Sequence, residues 1–405
     1  MIMPYEALSK IFNAIKPLNK EKISIFESDK RVAADAVYSK RSLPVYDNSA
    51  MDGYALKYED IKNAPAKLYV KGTIKAGDSI DSLNIEKGEC FRIMTGAFIP
   101  QGADTVIEFE LTNQTDNTVE ILKSKKIGSN IRKAGEDIIA GAKINFSGKE
   151  MTPYRISRLV STGNIFLSVY KKPHIAIIAT GDELEYPGEC GIINTIDSNS
   201  FFVKSFLKNL GIEADYLGIA KDKKEDLIEL INQGKNYDII ITSAGISFGD
   251  FDIVTNVEKE VGIEWIFKNV KQKPGKPFAF GRIDNSFIFS FPGNPVSSAF
   301  CSYFYLMPAV KKMMGYKNYQ NKPINAELTD SIKKSNDRVH FNRVKVETKN
   351  NRFYAEPFAT QGSNIIESLI HCNGFAMIDS NIVGKVEKGT KCKVFMYDFS
   401  SMLSY

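Results

Sequence analysis

From residue 173 onward the chain alternates continuous apolar runs with amphipathic stretches, and this alternation restricts the fold more than any other feature. HIAIIATGDEL, starting at His174, opens with an unbroken apolar run, the pattern of a strand buried on both faces. SNSFFVKSFLKNLG follows at helical spacing. Val203, Phe206, Leu207 and Leu210 share one face, Asp197 or Ser198 can cap the start, and Gly211 ends it. ADYLGIA reads as a second strand, DLIELINQG as a helix, YDIIITSAG as a third buried strand and DIVTNVEKEVG as a further helix. FIFSFPGNP is another buried strand, and PVSSAFCSYFYLMPAVKKMMGY a long apolar helix. Such alternation predicts a doubly wound, mostly parallel α/β sheet.

A chain of 405 residues is too long for that sheet alone, and two to four domains are expected. The start reads as an amphipathic helix, with Pro4 near its beginning and Leu8, Ile11, Phe12 and Ile15 at helical spacing. Short strand-like runs broken by glycine follow, such as KLYVKGTIKAGD and GADTVIEFE, and then a second helical pattern, MTPYRISRLVSTG. After Tyr316, INAELTDSI, HFNRVKVETKNNRFYAEPF, GFAMID and GTKCKVFMYDF read as the strands of a small C-terminal β domain. The expected class is therefore multi-domain α/β plus β, with helical and β regions at the N-terminus.

Several functions are disfavoured. No apolar run approaches the roughly 18 residues of a membrane span, and the N-terminus lacks the layout of a signal peptide. The cysteines, Cys90, Cys190, Cys301, Cys372 and Cys392, are scattered without a C-x-x-C pair, which argues for a reducing, cytoplasmic setting and against a zinc cluster. With only His174, His340 and His371, a histidine metal site or Ser-His catalysis is disfavoured. The net charge of +5 is mild for this length, and without an arginine-rich arm it does not imply nucleic acid. It remains compatible with a small anionic ligand.

In open α/β sheets, ligands sit at the carboxyl ends of the strands. Here the first strand ends in Thr180-Gly181-Asp182-Glu183, the third in Ser243-Ala244-Gly245-Ile246-Ser247-Phe248-Gly249-Asp250-Phe251-Asp252, and the last in Pro292-Gly293-Asn294-Pro295-Val296-Ser297. Glycines admit a ligand to the backbone, and a following helix N-terminus favours an anion. Any one such loop reads most simply as turn and cap. Three on one edge, crowded with carboxylates, imply a bound cation or a raised pKa, and an oxygen ligand set favours Mg²⁺. No Walker A loop is present and no GxGxxG follows the first strand, which disfavours nicotinamide chemistry.

Lys268, Lys271, Lys273 and Lys276 cluster in WIFKNVKQKPGKPFAFG. Lys271 reads as a solvated lysine. Lys273 and Lys276 flank a rigid Pro274-Gly275 turn and suit a phosphate or another oxyanion. In the first region LPVYDNSAMDGYA, RIMTG and RKAGED are dense in turn formers. Taken alone, Asp52 before glycine is a turn residue.

Together these strings resemble the molybdopterin molybdenumtransferase family (MoeA, and the corresponding domain of gephyrin). The resemblance is carried, in family order from residue 43 to 297, by LPVYDNSAMDGYA, FRIMTGAFIPQGADTVI, IRKAGEDI, ATGDEL, DSN at 197–199, SAGISFGDFD, KPGKPFAFG and FPGNPVS, with GSNIIESLIHCNGFAMI from Gly362 beyond. It implies a cytoplasmic enzyme of molybdenum-cofactor synthesis that takes adenylylated molybdopterin, releases AMP and inserts molybdate with Mg²⁺. It also implies a homodimer with a shared active site, and a transient contact with the adenylyltransferase that makes the substrate. By position, Glu183 and Asp252 would hold Mg²⁺, and Asp52, Asp137, Glu183, Asp222 and Asp252 would be catalytic. Asp52 and Asp137, with Thr95 and Arg132, would face the cleft from the second subunit. The ligand contacts would be Thr180, Gly181, Asp182, Asp197, Ser243, Gly245, Ser247, Gly249, Asp250, Lys273, Lys276, Pro292, Gly293, Asn294, Pro295 and Ser297.

The expected division is residues 1–22, 43–52 and 138–172 as a linker domain, 23–42 and 53–137 as an inserted β-rich domain, 173–316 as the molybdopterin-binding α/β domain, and 317–405 as the C-terminal β domain. Three positions depart from the family pattern: Ala244 and Asp250 replace a glycine and a glutamate, and Asn269 replaces a lysine that Lys268 or Lys271 would have to supply. Two other readings stay open. The adenylyltransferase of the preceding step shares the α/β domain but not the first and last regions, and a non-catalytic scaffold is a use that gephyrin shows for this fold.

Overall fold

The computed structural model describes residues 1–79, 83–189, 194–221, 223–244 and 253–398. Its central sheet has six strands: β1 (Ile175–Thr180), β2 (Ala214–Ala220), β3 (Ile239–Ser243), β4 (Glu264–Lys268), β5 (Ala279–Ile283) and β6 (Ser286–Phe291). Their order across the sheet is β2-β1-β3-β6-β5-β4. β1 pairs in parallel with β2 and β3, and β3 with β6. β5 and β4 extend the sheet antiparallel. Only Asp284 and Asn285 join β5 to β6, far too few residues for a crossover, so that pair must be a hairpin. Asp284 takes a positive φ of 50° there.

The helices of this region are α1 (Ser198–Asn209), α2 (Lys224–Gly234), α3 (Ile253–Val261) and α4 (Pro295–Cys301). Every residue of β1 and β3 is buried. Alternation along the strands divides their side chains between two cores. Ile175, Ile177, Ile239 and Ile241 meet Val203 and Leu207 of α1, while Ile178 and Ile240 meet Leu227 and Ile231 of α2 and Val257 and Val261 of α3. Helices thus cover both faces, as continuous apolar strands require. Beyond α4 the long apolar helix passes through a π turn at Ser302–Leu306 before resuming at Met307–Met313. Pro308 has no N–H to donate there, which interrupts the regular ladder.

The N-terminal helix, Pro4–Ala14, buries Ala7 and Ile11 in the core it shares with β1 and the helix at 307–313. Strand Lys20–Ser24 pairs antiparallel with Phe166–Tyr170, and Val37–Tyr38 with Lys143–Ile144. The stretch 23–42, grouped by sequence with the inserted region, thus makes its strand pairings with the linker. Ile25, Ala33, Met151, Leu159 and Val169 fill the core between these pieces. Residues 53–121 build a separate six-stranded sheet.

At the C-terminus five strands close into a barrel. Strand Val339–Lys349 pairs with Arg352–Pro357 on one side and Gly374–Ile378 on the other. Gly374–Ile378 pairs with Lys391–Met396, which pairs with Ile324–Leu328, which pairs with Arg352–Pro357. One further rung links the barrel to the α/β region: Gln272 and Lys273 lie parallel to Val339 and His340.

Candidate active site

Because β1, β3 and β6 are parallel neighbours, their carboxyl ends share one edge. The Thr180 hydroxyl donates to the Ser243 carbonyl across that edge (3.3 Å). Gly181 has a φ of +139° and donates its N–H to the Ala220 carbonyl (3.1 Å). The Glu183 carboxylate folds back over it, so that a Cβ on Gly181 would lie 2.6 Å from Glu183 Oε2. Glycine at 181 is therefore what lets Glu183 sit at the strand end. Lys221 secures this loop by donating to the carbonyls of Asp182 (3.2 Å) and Leu184 (2.7 Å).

Asp197, 2% exposed, caps α1 by accepting from Ser200 N–H (3.1 Å). The hydroxyls of Ser200 and Ser243 have no hydrogen-bond partner among the described residues. Burial and the adjacent Asp197 carboxylate push the Tyr216 phenol well up. Asn199, two residues on, donates to the Gly293 carbonyl (2.7 Å) and ties the α1 start to the loop after β6. That loop enters α4 with Pro295 in its first turn and Ser297 buried, leaving Gly293 and Asn294 exposed and Pro292 buried. Ala244 takes a φ of +73°, where an L side chain is strained, and a Cβ on Gly293 would lie 3.1 Å from its methyl. This edge is therefore close-packed backbone, with little room for substituents.

The KPG turn is fixed from below. The Gln272 amide donates to the Gly275 carbonyl (3.0 Å) and its oxygen accepts from the buried Tyr305 hydroxyl. Lys268 pairs with Glu258, and Lys271 with Asp337 at 2.8 Å, so both candidates to replace a lysine at Asn269 already have counter-ions. Asn269 itself turns the chain with a φ of +64°.

A second cluster forms on the inserted sheet. Asp52 Oδ1 accepts from the Thr95 N–H and the Thr95 hydroxyl, each at 2.7 Å. These two donors hold the Asp52 carboxyl below the usual carboxylate range. Gly53 follows because a Cβ there would lie 2.0 Å from the Ile107 carbonyl oxygen. Ser49 and Gly96 interlock the first two strings, and Ile131–Arg132 pairs with Asn48–Ser49 to add the third. Asp47 accepts from Lys133 Nζ (2.7 Å) and Ala134 N–H (2.8 Å), and both contacts depress its pKa. Asp137 pairs with Arg158 while staying 57% exposed. Turn-like strings far apart in sequence thus form one surface carrying Asp52, Thr95, Arg132 and Asp137. Asp222, Gly245, Ser247, Gly249, Asp250 and Asp252 lie outside the described residues, as does Cys190.

Sequence reasoning passed over three residues that organise the site. Asp47 and Arg158 anchor the string at 132–137. Arg343 is buried, donates to the carbonyls of Thr360 (3.1 Å), Gln361 (3.2 Å) and Gly362 (2.8 Å), and thereby positions Ser363. The Ser363 carbonyl accepts from Val296 N–H (3.1 Å), joining the barrel to the PGNP loop. A charged residue inside the apolar run HFNRVKV was the available signal for Arg343.

Sheet, inserted unit and barrel together define a class of pterin-handling biosynthetic proteins, as three matching family models indicate. The MoeA N-terminal region (domain I and II) matches residues 2–163, the probable molybdopterin binding domain 176–312, and the MoeA C-terminal region (domain IV) 325–397. A Haemophilus influenzae protein named molybdopterin molybdenumtransferase is 32% identical over 380 residues, covering 92% of this chain and 93% of that one. Its namesake from Staphylococcus epidermidis is 30% identical over 385 residues, covering 94% and 92%. The crystal structure of a molybdopterin biosynthesis MoeA protein from Pyrococcus horikoshii superposes with a TM-score of 0.83 at 28% identity, covering 98% of this chain and 99% of that one. The chain belongs to the molybdopterin molybdenumtransferase (MoeA) family of transferases.

Proposed function

We propose that this protein inserts molybdate into adenylylated molybdopterin with release of AMP, giving molybdenum cofactor in the cytoplasm. The observation that carries the reading is the edge where Thr180, Gly181, Glu183, Asp197 and the loop Pro292–Ser297 converge, on the fold of relatives named for this activity. Asp182, Ser243, Gly293 and Asn294 complete its backbone lining, and Lys273 and Lys276 would hold phosphate or molybdate oxygens. Asp52, kept ionised by Thr95, would accept a proton or orient a nucleophile, with Asp137 and Arg132 beside it.

The donors at the edge are oxygens, which suits a hard cation. Among the described residues no group of three or more carboxylates, imidazoles or thiols forms a ready ligand set, so Glu183 would need Asp252 as its companion. Mg²⁺ bound there would neutralise phosphate charge as the anhydride breaks. We further propose a homodimer in which the Asp52 surface of one copy faces the strand edge of the other, and a transient encounter with the adenylyltransferase. The working division is a linker, an inserted β unit, the α/β unit at 173–316 and the barrel, with 23–42 reassigned to the linker on its strand pairings.

Purified protein with Mg²⁺ and molybdate is expected to release AMP from adenylylated molybdopterin. Release at background level would overturn the reading, as would undiminished release after Glu183→Ala. ATP-dependent adenylylation of free molybdopterin would instead favour the preceding step.

A further inference from the structure

Beside Asp52 stands an arginine that the proposed reaction leaves idle. Arg92 lies on strand Glu89–Ile93 and pairs across with Tyr54, two residues past Asp52. Its guanidinium carbon sits 4.8 Å from the centre of the Phe109 ring. That ring is itself pinned. Phe109 N–H donates to the Asp52 carbonyl (3.2 Å), and its ring meets Tyr54 edge-on with centroids 5.4 Å apart. Arg92 Nε is buried without a hydrogen-bond partner among the described residues, and no carboxylate there forms an ion pair with the guanidinium. The stack sets the plane of the group, and a guanidinium keeps its proton throughout the neutral range. Arg92 is therefore a fixed charge without a counter-ion.

The other charges around Asp52 are already matched. Glu108 pairs with Lys125 (2.5 Å) and accepts from Asn130 Nδ2 (2.8 Å). Asp47 pairs with Lys133, and Asp137 with Arg158. The Tyr54 phenol donates to Gln114, and burial raises its pKa, so it stays neutral. Arg132 is not among the influences on the Asp52 carboxyl, whereas Arg92 is. In the free protein Arg92 lowers the Asp52 pKa less than either Thr95 donor does. The balance changes when an anion arrives. A phosphate or molybdate beside Asp52 repels its charge and favours the protonated form, which can neither accept a proton nor orient a nucleophile. The Thr95 donors are neutral and leave that repulsion in place, whereas a fixed cation offsets it.

We propose that Arg92 is a positioning residue for Asp52, its unmatched charge keeping the carboxylate ionised while an anionic substrate occupies the site. The inference rests on the part given to Asp52 in the proposed transfer.

The pH profile of AMP release from adenylylated molybdopterin tests this, with Asp52 also titrated by carbon-detected NMR in the ligand-free protein. Losing a nearby cation raises a carboxylate pKa, so Arg92→Gln should move the acid limb of the kcat profile up by about one pH unit. The deficit should close on the alkaline side, where Asp52 is ionised without help. A packing defect would instead lower activity at every pH. Arg92→Lys keeps the charge and should leave the acid limb near its wild-type place. In the ligand-free protein the Asp52 midpoint should rise in Arg92→Gln by only a few tenths of a unit, as one screened contribution beside Thr95. An acid limb that stays in place in Arg92→Gln, or moves as far in Arg92→Lys, overturns the proposal, as does an unmoved Asp52 midpoint. A midpoint that depends on Arg92 in a wild-type chain that releases no AMP sinks the transferase reading and leaves the link between Arg92 and Asp52 standing.

Discussion

Asp52 is held as an ionised acceptor by one neighbour, Thr95, acting through two donors. The larger contribution comes from the backbone N–H and the smaller from the hydroxyl. Thr95→Ala should therefore raise the Asp52 pKa only part of the way toward the free value of roughly 3.9. A carbon-detected NMR titration reads this, and an unchanged midpoint would refute it. Since the folded pKa is depressed, the contact's support for the fold is complete above the free carboxylate pKa and fades as pH falls below it. Gly53→Ala should be severe, because the added methyl would meet the fixed Ile107 carbonyl oxygen. A loss of about 3 kcal/mol or outright insolubility is expected, measured by denaturant midpoint. Ala244→Gly should do the opposite, relieving about 1 kcal/mol of left-handed strain. Sequence alone presents Asp52 as a turn residue and Ala244 as a departure from a pattern. Neither the Thr95 partnership nor the positive φ is local information, since both depend on where distant strings come to rest.

At the level of elements, burial patterns were legible wherever one element buries one face. The helix α1, its Asp197 cap and its Gly211 stop all follow from spacing and cap chemistry, and Val203 and Leu207 take core positions. Leu207→Ala should cost about 2–5 kcal/mol, the range for emptying a packed site, with a correspondingly lower thermal midpoint. The β4–β5 extension was less legible, because strand direction depends on connection length and not on apolar content. The closing of the barrel was illegible for a related reason. Its decisive pairing, Glu327 with Tyr354 and Leu328 with Ala355, is parallel and non-local, and no alternation of side chains encodes it. The π turn before Pro308 likewise lay inside a run that reads as unbroken helix.

For the whole molecule, the shared-site proposal makes a prediction that neither half makes alone. Mixed dimers of Asp52→Ala and Glu183→Ala chains would hold one site carrying both substitutions and one carrying neither. Co-refolded mixtures should then recover AMP release that each variant lacks by itself. If both groups serve a site within one chain, mixing should restore nothing. The strand edge could be read from sequence because parallel α/β sheets always place their loops there. The assembly of the strings around Asp52 could be inferred only through family resemblance, since three short turns carry no signal of mutual contact. The barrel's contribution through Arg343 was hidden for the same reason.

The rung between Gln272–Lys273 and Val339–His340 also has a consequence for biosynthesis. Parallel partners are never neighbours in sequence, and these two lie on either side of the whole apolar helix and the first barrel strand. As the chain leaves the ribosome from its N-terminus, the strand edge can form while the KPG turn still lacks its rung. Only when residues 339–340 have emerged does Lys273 acquire a fixed position. A nascent chain therefore completes its strand edge well before Lys273 reaches its final place, and arrested chains ending on either side of residue 340 should show the difference.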